Sequence, residues 1–138
     1  VVLVDFWATW CSSCLELMPH HAALAQRLAA QGLVVATVSL DDLDDPEDPE
    51  AQSGVRAALD RHAMPPMVHF VAQPALPGQP ETDPFKLFDI PGGALPHLKL
   101  YDRAGRLRAT FESRAKTIEP AAVAEAVEAL LVEKPAAP

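Results

Sequence analysis

Only two cysteines occur in the 138 residues, and they stand three positions apart, at Cys11 and Cys14. So few cysteines exclude a scaffold held together by disulfide staples, and an apolar fraction of 49% lets one domain of this length bury a core without them. No stretch approaches the roughly 18 consecutive apolar residues of a membrane helix, and no positively charged start leads into an apolar run with a cleavage site. The chain opens at Val1, inside an apolar run and without methionine, as expected of a domain cut from a longer protein. Any anchor or signal peptide would lie in that missing N-terminus. There are no internal repeats. Basic surplus is absent as well: the net charge is −8, and Asp41, Asp42, Asp44, Asp45, Glu47, Asp48 and Glu50 carry most of it within ten residues. Nucleic acid is excluded as a partner, because its recognition needs a basic footprint. The acidic segment DDLDDPEDPE lacks the central Gly and terminal Glu of a calcium loop, so it reads as a solvated loop.

The cysteines lie in VDFWATWCSSC, straight after a β-rich run in which Val2, Val4 and Phe6 face one way and Leu3, Asp5 and Trp7 the other. Two such cysteines can ligate a metal, form a structural disulfide or pass electrons. From Cys11 the pattern becomes helical, with Cys14, Leu17, Met18, Leu24, Ala25 and Leu28 on one stripe, a kink expected at Pro19 and a stop at Gly32. LVVATVSL, residues 33–40, reads as a strand buried on both faces, and strand, helix, strand implies a parallel crossover. A helix is expected over 51–63, around Val55, Ala58 and Leu59, and a short strand over 67–72. Eight of the fourteen prolines then fall between Pro65 and Pro96, where PALPGQPETDP reads as a surface loop. HLKLYDRAGRLRATF predicts a hairpin in which Leu98 and Leu100 share a face with Leu107, Ala109 and Phe111 across a turn at 102–105. A helix from about Pro120 carries Val123, Val127, Leu130 and Leu131 at helical spacing, and residues 135–138 are expected to fray.

A cysteine at a helix N-terminus sits beside unsatisfied amide donors and the positive end of the helix dipole, which favour thiolate over thiol. Cys11 is therefore the expected attacking sulfur. Cys14, one turn inside the helix, is the expected resolving thiol, attacking Cys11 once a mixed disulfide has formed. Zinc needs four ligands, and His20 and His21 follow Cys14 by nearly two helical turns, too far to complete a site on the pair. Asp5 shares a strand face with Leu3 and Trp7. A carboxylate there is costly to ionise, which makes it a candidate proton relay for Cys14, against the plainer reading of a strand-end acid that reaches water. Trp7 suits the core and Trp10 a docking surface. His20, His21, His62 and His69 read as surface or satisfied core residues, and strand alternation directs His97 away from the cysteines.

Strand, Cys-x-x-Cys, helix, parallel strand, then a proline before a hairpin and a closing helix is the thioredoxin pattern. VDFWATWCSSCLELMP resembles the thioredoxin active-site segment in Asp5 before Phe6-Trp7, Trp10 before the first cysteine and Pro19 five residues after the second. ALPHLKLYDRAGRL resembles the family's cis-proline segment and following hairpin. The stretch between these matches exceeds plain thioredoxin and resembles the TlpA/ResA-type branch of extracytoplasmic thiol-disulfide proteins, which carry an additional helix and strand there. The resemblance implies an α/β thioredoxin-like fold over residues 1–134, with a central mixed sheet flanked by helices. It implies a thiol-disulfide oxidoreductase without cofactor or metal, acting on protein disulfides or dithiols together with a redox-partner protein, and expected to be a monomer. It strengthens Asp5 as relay, makes Leu95-Pro96 a cis bond beside Cys11, and assigns Trp10, Leu95 and Pro96 to substrate binding. Ser12-Ser13 departs from the family's usual intervening pair and places no cation between the sulfurs, so a reductant or isomerase role is expected, with the reductant favoured. The expected potential is nearer the roughly −200 to −270 mV of glutaredoxins and thioredoxin than the roughly −120 mV of a strong oxidant. The readings left beside it are a thioredoxin-fold adaptor whose cysteines do little and a copper-handling module, although the Sco proteins that handle copper place three residues between their cysteines.

Overall fold

Alternation in the opening run builds the central strand, β1 (Val2–Trp7), and Cys11 then leaves the extended region to begin α1 (Ser12–Leu28). The computed structural model describes residues 1–73, 78 and 80–134. Gly32, at φ 96°, takes the left-handed conformation that turns the chain out of the helical region. The chain continues through β2 (Val34–Ser39), α2 (Ser53–His62), β3 (Val68–Val71), α3 (Pro84–Leu87), β4 (His97–Tyr101), β5 (Leu107–Glu112) and α4 (Pro120–Val132). Among the described residues the strands form one sheet in the order β3-β2-β1-β4-β5. β1, β2 and β3 run parallel, while β4 and β5 are antiparallel to their neighbours. The α2–β3 pair is the additional helix and strand expected before the proline-rich region. Residues 74–77 and 79 of that loop, and the tail expected to fray at 135–138, lie outside the described residues.

Two apolar layers hold the sheet. On one face Leu3 and Trp7 of β1, Val35 of β2, and Leu98 and Leu100 of β4 meet Cys14, Met18, Ala22 and Ala25 of α1 and Val123 and Val127 of α4. Burial of side chains of this size stabilises by about 1.5–3 kcal/mol each, so this layer fixes where α1 starts. The opposite face is covered by the segment around α3, with Phe6, Leu40, Ala72 and Ile90 buried against Phe85 and Phe88.

The hairpin departs from its expected register. Leu98 and Leu100 do pair with Phe111 and Ala109, but a shift between Leu100 and Tyr101 sets Leu107 opposite Tyr101 and leaves it 49% exposed. An irregularity of this kind re-aims side chains on the affected strand, so Leu107 does not join the face of Leu98 and Leu100. The turn is fixed by Asp102, whose carboxylate accepts from the amides of Ala104 and Arg106 and from the guanidinium groups of Arg106 and Arg108. These bonds, the Arg106 amide foremost, lower the Asp102 pKa to about 2.

Candidate active site

β1 ends at Trp7, at the C-terminal end of the central strand, and Ala8 to Trp10 turn the chain into α1. Ala8 C=O accepts from the Cys11 amide at 3.1 Å. Cys11 is the N-cap: its Sγ accepts from the Cys14 amide at 3.3 Å, satisfying one of the orphan donors of the first turn. The two sulfurs are joined in a disulfide, with Cα atoms 5.3 Å apart. Cys11 is 6% exposed and Cys14 fully buried, so of the two only Cys11 keeps any contact with the surface. Trp10, expected as a docking residue, stands 64% exposed beside it, whereas Trp7 is buried.

The Leu95-Pro96 peptide bond is cis and leads directly into β4. Pro96 helps to line a groove of about 310 Å³ together with Ser13, Glu16 and His20 of the cysteine helix and Ile118 and Glu119 ahead of α4. Leu95 packs against both apolar layers and makes no main-chain hydrogen bond among the described residues. A larger cleft of about 690 Å³ between α2 and β3 contains neither cysteine.

Asp5 lies on the strand face that carries Leu3 and Trp7, fully buried. The strand-end reading in which it reaches water does not hold. What the sequence did not reveal is its neighbour. His21, also fully buried, meets Asp5 with Nδ1 2.9 Å from Oδ2. The signal was available in part: His21 follows Cys14 by seven residues and Met18 by three, on the stripe that packs against β1. Asp5 Oδ1 and His21 Nε2 have no hydrogen-bond partner among the described residues.

A second residue was hidden by its surroundings. Asp41 belongs to the acidic segment read as solvated, yet its carboxylate accepts from the Thr9 amide and hydroxyl and from the Ser39 hydroxyl. It ties the loop before Cys11 to the end of β2. His97 is buried on the sheet's other face, its ring edge-on to Phe6, so strand alternation does carry it away from the cysteines. Burial, with the nearby Lys99 adding to it, lowers the His97 pKa below the usual histidine range.

The sheet thus carries a disulfide at the start of the helix that follows its central strand and a cis-proline leading into its antiparallel hairpin. Residues 1–58 match the thioredoxin family model. The chain has the thioredoxin-like fold. Over 41 residues the thioredoxin-like chain is 34% identical to a thioredoxin of Coprinus comatus, a match covering 30% of this chain and 39% of that relative's length. Solved structures extend the likeness to almost the whole chain. A putative thiol:disulfide interchange protein DsbE from Chlorobium tepidum superposes with a TM-score of 0.65 at 24% identity, over 95% of this chain and 79% of the other. A secreted Mycobacterium tuberculosis disulfide oxidoreductase homologous to E. coli DsbE gives 0.67 at 13% identity, over 94% and 81%. Identities this low establish the fold of the thioredoxin-like chain and leave its chemistry to its own residues.

Proposed function

We propose that this chain is a thiol-disulfide oxidoreductase of TlpA/ResA type that acts on protein substrates, with residues 1–134 as its working domain. The observation that carries the reading is the asymmetry of the two cysteines at the start of α1, Cys11 the N-cap with a little exposed surface and Cys14 fully buried one turn on. In the reduced protein the Cys11 thiolate attacks a substrate disulfide, and one substrate sulfur leaves as thiolate. Cys14 gives up its proton and attacks Cys11 Sγ, and the second substrate sulfur leaves with the electron pair. The substrate is reduced by two electrons and Cys11–Cys14 becomes the disulfide. Asp5 is the candidate to take the Cys14 proton, because it is buried between the flanking Leu3 and Trp7, which belong to the layer that also holds Cys14.

Trp10, Leu95 and Pro96 form the proposed substrate-binding surface. An extended substrate segment beside Pro96 would pair with the free main chain of Leu95, so recognition would rest on backbone hydrogen bonds and tolerate many sequences, while Trp10 adds apolar contact. The direction is proposed to be reductive, since neither Ser12 nor Ser13 supplies a cation that would stabilise the Cys11 thiolate unusually strongly. An extracytoplasmic location is proposed, in keeping with the secreted neighbour from M. tuberculosis.

The deciding experiment is trapping. Cys14→Ser should accumulate mixed disulfides on Cys11, and Cys11 should alkylate faster than Cys14 in the reduced protein. Equal alkylation rates and no trapping by either single variant would sink the proposal.

A further inference from the structure

Asp5 and His21 are both fully buried and joined at 2.9 Å, yet each keeps one polar atom without a partner among the described residues. As a purely structural device this pair is poorly made. A buried carboxylate–imidazole pair bears the desolvation of two polar groups, and apolar side chains of similar volume often hold a core equally well. Its position suggests a use. On α1, Cys14, Met18 and His21 occupy one stripe, and Cys14 and Met18 pack into the layer formed with Leu3 and Trp7, the strand neighbours that flank Asp5 on the same face.

We infer that His21 is a positioning residue for the resolving step, holding Asp5 as a carboxylate able to take the Cys14 proton. The inference rests on the proposed role of Cys14. Charge is the reason. A carboxylate buried alone favours its protonated form, and a protonated Asp5 cannot accept another proton. Beside an imidazolium, the carboxylate is part of a pair with no net charge. When Cys14 loses its proton to Asp5, the thiol, carboxylate and imidazolium become a thiolate, a carboxylic acid and an imidazolium. The buried group is neutral before and after transfer. The thiolate then attacks Cys11 Sγ, the electron pair leaves on the substrate sulfur, and the surplus proton returns to water.

Among the described residues, the buried faces of the elements around the pair are mostly apolar. β4 contributes Leu98 opposite Asp5, α2 contributes Val55 and Ala58, and the buried face of α4 is Val123, Val127, Leu130 and Leu131. β2 contributes Thr37 opposite Asp5, its hydroxyl 2.8 Å from His69 Nδ1 on β3. Among the described residues named for these faces, the titratable groups are Cys14 and, one strand beyond Thr37, His69.

A chromogenic aryl disulfide, 5,5′-dithiobis(2-nitrobenzoate), separates the steps. Attack by Cys11 on the reagent releases the first thionitrobenzoate, and attack by Cys14 on the Cys11 mixed disulfide releases the second. In His21→Gln the second release should move to higher pH by about one unit, which is about tenfold slower below both midpoints, while the first changes less than about twofold. A folded His21→Gln variant whose second-release pH profile superimposes on the parent overturns the inference. Should His21→Gln not fold, nitrogen NMR of the unaltered protein decides: the His21 ring resonances should differ between dithiol and disulfide forms at one pH, and identical resonances overturn it. If Cys14→Ser also releases two equivalents, it is the assignment of Cys14 as resolving thiol that fails, an outcome distinct from either of these.

Discussion

The sheet buries one imidazole on each face, and the two are treated in opposite ways. Under α1, His21 meets the carboxylate of Asp5. Under the α3 segment, His97 meets the edge of Phe6, with Lys99 two residues along the same strand, and its pKa falls. Burial alone therefore does not determine what a histidine does. A carboxylate neighbour can balance a charge on a buried ring, while burial without one, with a cation adding to it, favours the neutral ring of His97. The face with the paired imidazole is the face with the cysteines, and the other face is a packing layer.

Without its carboxylate, His21 would be left, like His97, as a buried imidazole with no hydrogen-bonded acid. Asp5→Ala removes one partner of a buried pair and should cost about 3 kcal/mol of stability in urea unfolding. Asp5→Leu combined with His21→Met should recover most of that loss, since the apolar pair needs no compensation. A double variant no more stable than Asp5→Ala would show that the cost lies in packing rather than in the orphaned ring.

Asp41 offers a paired acid at the margin of the same site. Asp41→Ala leaves Thr9 and Ser39 without their acceptor and should cost about 1–2 kcal/mol. Because Thr9 precedes Trp10-Cys11, the rate of Cys11 alkylation should change in the same variant, whereas Asp44→Ala, in the exposed part of the segment, should alter neither measurement.

On the unpaired side the effect is smaller and depends on pH. The His97 pKa lies below the ordinary 6.5, so as pH falls through about that value the unfolded chain takes up a proton that the folded chain resists. Stability attributable to this group is complete above that range and declines below it. His97→Phe keeps an aromatic ring against Phe6 and should change stability at neutral pH by less than about 1.5 kcal/mol, while reducing the loss between pH 7 and 5. An unchanged slope in the variant would place the acid sensitivity elsewhere.

The smallest expected change is at the hairpin turn. Asp102, with its pKa lowered to about 2, stabilises the folded state above the ordinary carboxylate value of 3.8, and that contribution is lost as pH falls towards 2. Asp102→Asn should flatten the dependence of the urea midpoint between pH 4 and 2. A dependence as steep as the parent's would assign it to other carboxylates.

Elements whose partners lie in their own periodicity were legible in the sequence. The alternation of β1, the stripe on α1 and the run of β2 each predict one element, and the strand-helix-strand order predicts the crossover. The cysteine pair was legible because helix-end chemistry acts within four residues. Asp5 was readable as an acid costly to ionise, but its partner was not: His21 is sixteen residues away, and only the packing of α1 on β1 joins them. Asp41 was hidden differently, since its neighbours in sequence are exposed acids while its bonds reach Thr9 across the end of the sheet. The irregularity that turns Leu107 outward changes register by one residue, and period-two alternation carries no mark of where such a shift falls.

The sulfur that caps α1 also changes its bonding state during the proposed reaction. As thiolate, Cys11 Sγ would accept the Cys14 amide more strongly than a disulfide sulfur does, so the helix start would be better satisfied in the reduced protein. A thermodynamic cycle then ties two laboratory quantities together. The difference in unfolding free energy between oxidised and reduced forms must equal the difference in disulfide potential between folded and unfolded chains, at about 30 mV for each 1.4 kcal/mol. Every contact that favours the thiolate at the cap therefore makes the folded protein a stronger oxidant, and a melting experiment on the two forms becomes a measurement of electron affinity.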